Sequence, residues 1–155
     1  MGIEIERKFL VNKQKWEQVP KPAGEKLQQG YMLNNTDKTI RLRITPVTAY
    51  LTFKSGTKGI SRNEYEYEIP VDDASELYEQ FVITGLEKTR YYVSFEDKLW
   101  EVDVFLGDND GLIIAEIELD SEDEAFELPP WVTEEVTGQE KYYNSSLSVR
   151  PYKSW

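Results

Sequence analysis

Along most of this chain apolar and charged residues take turns, and the charges come as same-sign pairs two residues apart. Glu4 and Glu6, Arg41 and Arg43, Glu64 and Glu66, Lys88 and Arg90, Glu101 and Asp103, and Glu116 and Glu118 all follow this pattern. Two residues is the strand period, so each pair projects from one face of a β-strand, about 7 Å apart along the chain. The opposite faces are apolar or aromatic, as with Ile5 and Phe9, Ile40 and Leu42, Trp100 and Val102, or Ile113 and Ile117. One such strand would be an amphipathic strand with a wet face. Their repetition is more constraining. A solvated face mixes Lys, Glu, Thr, Ser and Gln without order. Like charges side by side repel unless the neighbouring strand supplies the opposite sign.

The pattern predicts strands over 4–11, 26–34, 38–46, 48–55, 61–70, 86–95, 99–106 and 112–120. Turn residues separate them: Asn34-Asn35-Thr36-Asp37, Ser55-Gly56-Thr57-Lys58-Gly59, Glu96-Asp97-Lys98 and Gly107-Asp108-Asn109-Asp110-Gly111. The Ser55–Gly59 stretch lacks the spacing of a phosphate-binding Walker loop and reads as a hairpin turn. Asn12 predicts the cap of a short helix holding Trp16 and Val19. Asp73, with Glu76 three residues on, predicts a helix with Ala74, Leu77, Tyr78 and Phe81 on one side. Ser121-x-x-Glu124 and Thr137-x-x-Glu140 read as capping boxes, so two or three short helices are expected at the C-terminus, broken by Pro129-Pro130.

The expected fold is therefore α+β, mainly β, over one domain spanning 1–155. It is an eight-stranded antiparallel closed β-barrel with flanking and C-terminal helices. Which face lines the lumen decides the chemistry. An apolar lumen would make a lipocalin-like carrier and leave the charges in water. A charged lumen needs covers for the apolar outer faces, and helices after strands one, five and eight can supply them. The paired charges favour this hydrophilic tunnel. Its lumen would set Glu4, Glu6, Glu64, Glu66, Glu68, Glu101, Asp103, Glu116 and Glu118 against Lys8, Arg41, Arg43, Lys54, Arg62, Lys88 and Arg90. The acids are in slight excess, which divalent cations would reverse, readying the space for a polyanion.

Composition narrows what such a tunnel can do. The chain has no His and no Cys, so thiolate and imidazole chemistry is excluded and any metal must be held by oxygen. A general base must be Glu, Asp, Lys or Tyr. The net charge of −11 argues against a nucleic-acid or membrane partner. No apolar run is long enough for a membrane helix or a signal peptide, and a cytoplasmic protein is expected.

The ordered set Glu4-x-Glu6-x-Lys8, Arg41-x-Arg43, Lys54, Arg62-x-Glu64-x-Glu66, Lys88-x-Arg90, Glu101-x-Asp103 and Glu116-x-Glu118 resembles the CYTH superfamily, the triphosphate tunnel metalloenzymes. The resemblance runs from residue 3 to about 120, and Tyr142-Tyr143-Asn144-Ser145-Ser146-Leu147 is similar to the family's C-terminal region. It implies an eight-stranded hydrophilic tunnel that hydrolyses or cyclises a small molecule bearing a triphosphate, using Mg2+ or Mn2+. It implies metal-side carboxylates at Glu4, Glu6, Glu116 and Glu118, assisted by Glu64 and Glu66. The implied phosphate-binding cations are Lys8, Arg41, Arg43, Lys54, Arg62 and Arg90. Short bacterial members that act on inorganic triphosphate pair a lysine with a tyrosine, and Lys88 with Tyr31 fits that pair, the lysine as base and the tyrosine holding its amine.

Inorganic triphosphate is the expected substrate. Thiamine triphosphatase activity would need aromatic or apolar residues at the tunnel mouth, for which Trp100, Trp131 and Trp155 are available. Class IV adenylyl cyclase activity would need a purine pocket. A non-catalytic polyphosphate- or nucleotide-binding module would bind without turnover.

Overall fold

The computed structural model describes residues 2–155. Eight antiparallel strands close into a barrel, and a ninth is added at one edge. In chain order they are β1 (Gly2–Val11), β2 (Glu25–Asn34), β3 (Lys38–Ile44), β4 (Ala49–Ser55), β5 (Ser61–Ile69), β6 (Thr84–Phe95), β7 (Lys98–Phe105), β8 (Ile113–Glu118) and β9 (Val132–Glu135). Their spatial order is β5-β4-β3-β2-β6-β7-β8-β1, and pairing of β1 with β5 joins the two ends. Strand β1 is the seam. One edge pairs with β8 over Glu6–Leu10; the other is shared, Gly2–Ile5 with β5 and Phe9 and Val11 with β9.

The charged faces turn inward, and the apolar outer faces are covered in two places. On β1, β6, β7 and β8, Phe9, Val93, Trp100, Val102, Ala115 and Ile117 form one buried layer. Trp16 from α1 (Lys13–Glu17) and Trp131 lie against it, each 4% exposed. The rings meet edge to face: Phe9–Trp100 at 5.6 Å, Trp100–Trp131 at 6.0 Å and Trp16–Trp131 at 5.3 Å. Such pairs contribute about 0.5–1.5 kcal/mol each beyond the area they bury. As expected, Asn12 caps α1, its side chain accepting from Lys15 N at 2.9 Å.

The second cover is α2 (Val71–Phe81), whose Ala74 packs with Leu42 and Ala49 on the β3–β4 side. Here the predicted start is corrected. The helix begins two residues before Asp73, at Val71 after Pro70, without a side-chain cap. Asp72 and Asp73 lie in its first turn, where negative charge suits the helix dipole. Gly30 and Gly85 are cross-strand partners beneath this helix. A Cβ on Gly85 would stand 2.3 Å from the Tyr78 hydroxyl and 2.8 Å from Gln29 O, so the bare backbone lets Tyr78 lie down on the sheet.

The C-terminal third departs most from expectation. Ser121-x-x-Glu124 builds a turn, with Glu124 N donating to Ser121 O and Glu124 Oε1 accepting from Asp120 N. The predicted cover after β8 is therefore an irregular segment carrying Phe126 and Trp131, followed by β9. Thr137 caps no helix either. Its hydroxyl accepts from Lys8 N at 2.9 Å and donates to Glu135 at 2.7 Å. Beyond it the chain makes a 3-10 turn, Glu140–Tyr142, and one turn of helix, α3 (Asn144–Leu147).

That segment fills one end of the barrel. Two residues beyond each charged position, the inner faces of β1, β6, β7 and β8 become apolar: Lys8 gives way to Leu10, Lys88 to Leu86, Asp103 to Phe105 and Glu116 to Ile114. These four pack with Val136, Tyr142 and Leu147. On this side the lumen ends in an apolar floor.

Candidate active site

The lumen holds a cavity of about 300 Å3. Every cation predicted for substrate binding lines it: Lys8 from β1, Arg41 and Arg43 from β3, Lys54 from β4, Arg62 from β5 and Arg90 from β6. So do the six predicted metal-side carboxylates, Glu4, Glu6, Glu64, Glu66, Glu116 and Glu118, and the predicted catalytic pair, Lys88 and Tyr31. Glu68, expected in the lumen, is exposed and stands apart from this cavity, because β5 leaves the lumen beyond Glu66.

Cations and carboxylates are interleaved, with cations denser toward β3 and β6 and carboxylates denser toward β1, β5 and β8. On the β6–β7 side Asp103, fully buried, binds Arg90 with both oxygens at 2.7 and 2.9 Å and accepts from Lys88 Nζ at 2.6 Å. Arg90 also pairs with Glu101. Arg43 donates to Gln29 Oε1 at 3.0 Å and, among the described residues, makes no ion pair. Burial, with Arg41 and Arg90 close by, lowers it to about 10. Arg41 Nε, also buried, has no hydrogen-bond partner among the described residues. A guanidinium with no carboxylate partner beside an unpaired N–H is chemistry suited to an anion.

The carboxylates gather at β1, β5 and β8. Glu6 faces Glu118 directly across the β1–β8 ladder, and Glu116 faces Glu101 across β7–β8. Like charges in opposed positions are unfavourable without a cation between them. Burial, then Glu116 and Glu4, push Glu6 up to about 8. Burial and neighbouring carboxylates, Glu4 foremost, also raise Glu64 and Glu118. Glu4 and Glu116 go the other way. Burial would raise both, but Lys54 and Arg62 outweigh it at Glu4, and Lys8, Arg90 and Lys88 outweigh it at Glu116. Glu4 accepts from Arg62 at 2.8 Å and from Lys54 at 3.2 Å, and Lys8 stands 3.5 Å from Glu116. Glu6 and Glu118, opposed and with Glu116 beside them, are hard oxygen donors of the kind Mg2+ and Mn2+ take. Among the described residues no three carboxylates yet converge as tightly as ligands around an ion.

Lys88 is 1% exposed, and its pKa is lowered to about 7. Burial is the largest cause; Asp103 opposes it, while Arg90 and Arg43 add to it. Its amine donates to Asp103 and, at 2.8 Å, to Asn144 Oδ1. Tyr31, expected to hold that amine, is buried in the cavity wall but is not its hydrogen-bond partner. Burial raises the Tyr31 hydroxyl, keeping it protonated.

The sequence pattern of the CYTH domain matches residues 2–152. The chain belongs to the CYTH family. One relative, an inorganic triphosphatase of Acetivibrio thermocellus, is 47% identical over 156 residues, 100% of this chain and 99% of the relative. An inorganic triphosphatase of Nitrosomonas europaea is 40% identical over 154 residues, 94% and 97% of the two chains. The crystal structure of an inorganic triphosphatase superposes with a TM-score of 0.66 at 38% identity, covering 94% of this chain and 97% of that one. A protein of Bacillus halodurans, at 19% identity and a TM-score of 0.63 over 79% and 84% of the chains, shares the CYTH barrel alone.

Two residues in the site carry roles that the sequence pattern leaves open. Asp103 is visible as half of a charged pair on β7, but nothing marks it as the anchor of both Lys88 and Arg90. Asn144 lies in a tail without strand periodicity, and its contact with Lys88 spans 56 positions.

Proposed function

We propose that this protein hydrolyses inorganic triphosphate to diphosphate and phosphate, with Mg2+ or Mn2+ as cofactor. One observation carries the reading: seven cationic side chains on five strands and a set of carboxylates line one cavity inside the barrel. The relatives' activity supports it, since both are inorganic triphosphatases matched over nearly their whole length.

Phosphoryl transfer needs positioning and charge neutralisation more than covalent help. Arg41, Arg43, Lys54, Arg62, Lys8 and Arg90 bind the outer phosphates; Arg43 is best placed because it has no carboxylate to leave. Glu6, Glu116 and Glu118, with Glu4, Glu64 and Glu66 around them, would hold the metal. A metal there would supply charge neutralisation at the phosphate oxygens and help to orient the attacking water. Lys88, neutral above about pH 7, takes the proton of that water. Tyr31, protonated and in the same wall, donates to a phosphate oxygen or to the water.

The three tryptophans give the thiamine triphosphate reading no support. Trp100 and Trp131 lie in the outer layer, and Trp155 packs edge to face with Tyr142 and Tyr152. None of the three lines the cavity.

The test is phosphate release from tripolyphosphate, thiamine triphosphate and ATP, with Mg2+, with Mn2+ and with EDTA. Turnover of tripolyphosphate is expected to dominate and to vanish with EDTA. Preference for ATP would overturn the substrate, full activity in EDTA would overturn the metal, and tight binding without turnover would make the protein a binding module.

A further inference from the structure

The Lys88 amine is held from two directions. Asp103 Oδ2 accepts from it at 2.6 Å and Asn144 Oδ1 at 2.8 Å. Asp103 belongs to the barrel wall, but Asn144 opens α3 in the segment that fills the barrel's end. That turn is fixed from several sides. Leu147, 1% exposed, is sunk in the apolar cluster at the closed end. Asn34 donates to Ser145 O at 2.9 Å, and Thr84 and Ser148 share a hydroxyl hydrogen bond at 2.9 Å. So one face of the lumen is furnished by a segment that is no part of the barrel.

A neutral primary amine has two N–H bonds and one lone pair. The Asp103 carboxylate and the Asn144 amide oxygen only accept, so both N–H bonds must point at them. The lone pair then takes the one remaining tetrahedral corner. With Asp103 alone, the second N–H and the lone pair could exchange places. We propose that Asn144 is a positioning residue for the hydrolysis, an acceptor from the C-terminal segment that fixes the direction of the Lys88 lone pair. The inference rests on Lys88 acting as the base.

The charges facing Lys88 are Asp103 from β7, Arg90 from its own strand, Arg43 from β3 and Glu116 from β8. Leu27 is its β2 partner and the Phe105 ring lies 5.6 Å away, both apolar. Asn144 is the uncharged polar contribution of the C-terminal segment. Replacing it by a carboxylate therefore adds a second anion beside the ammonium.

The experiment compares Asn144→Ala, Asn144→Asp and Lys88→Ala with the parent protein, using tripolyphosphate and Mg2+ from pH 6 to 9.5. Asn144→Ala is expected to lower kcat about 10- to 100-fold with KM changed less than about twofold. Asn144→Asp is expected to keep near-parental kcat at high pH while the acid limb of the profile moves up by about one unit or more. A 13C titration of Lys88 Cε in the metal-free protein should show the same upward shift without relying on turnover. If Lys88→Ala keeps parental kcat, the base reading fails and the positioning role falls with it. If Lys88→Ala is inactive while both Asn144 variants keep the parental kcat and acid limb, Lys88 stands as base and Asn144 is overturned. A lower Tm with an unmoved limb and Cε midpoint in Asn144→Asp would reduce Asn144 to a structural contact.

Discussion

Lys88 and Glu6 have their proton affinities displaced in opposite senses, and the barrel causes both. Burial disfavours whichever form is charged, so it lowers the lysine to about 7 and lifts the carboxyl to about 8. The lysine therefore loses its proton near neutrality, as a base must. The rate should fall about tenfold per pH unit below 7 and level off above it. Lys88→Ala is expected to lower kcat at least about 100-fold with little change in KM; equal losses of binding and rate would make it a phosphate ligand instead. For Glu6 the sign concerns stability. Between its ordinary 4.5 and about 8 the folded chain keeps a proton that the unfolded chain has released. The stability contributed by this group is thus present at low pH and fades as pH rises through that window. Lys88 works the other way between about 7 and its ordinary 10.5, where the unfolded chain holds the extra proton. Glu6→Gln should therefore raise the Tm of the metal-free protein at pH 8 and shrink the further rise produced by Mg2+. A lower Tm together with an undiminished Mg2+ effect would remove Glu6 from the carboxylate wall.

Among the elements, the sheet–helix contact at Tyr78 is the least forgiving. Gly85→Ala places a methyl group against both the tyrosine hydroxyl and the Gln29 carbonyl oxygen, and the backbone atom has no room to retreat. Overpacking of this kind costs about 2 kcal/mol, a fall in Tm of roughly 4–8 °C by thermal melting. Activity per folded molecule should be unchanged, since Tyr78 is on the outer face. Most of the barrel strands were legible because one face carries charge and the other is apolar, and a slip of one residue would bury the wrong set; β2, whose faces mix Gln, Gly, Leu and Tyr, was read from its position between turns instead. The site was legible for the same reason: its residues are the charged face. The C-terminal third carried no such constraint. Its two capping-box patterns share their residue types with other uses, and here Glu124 closes a turn while Thr137 ties the chain to the Lys8 amide. Strand β9 is only four residues, too short to announce a period. Asn144 stood in a segment that resembles the family's C-terminal region, but its contact with Lys88 was unreadable because it depends on where a distant helix turn comes to rest.

For the whole molecule, the charge distribution separates solubility from binding. The chain carries a net charge of −11, yet its lumen presents seven cations, several of them answered by only one carboxylate. A polyanion is repelled at long range and gripped at short range. The long-range part is screened beyond about 8 Å at physiological ionic strength, leaving the lumen to decide affinity. The apolar plug of Leu10, Leu86, Phe105 and Ile114 adds a kinetic consequence. With the β1, β6, β7 and β8 side of the far end stopped, reactant and fragments compete for the same confined space, and a piece that stays behind bars the next molecule. Diphosphate should consequently behave as a competitive inhibitor in initial-rate measurements, raising the apparent KM for tripolyphosphate while kcat stays constant; a purely noncompetitive pattern would mean that diphosphate is held somewhere other than the substrate's place in the lumen.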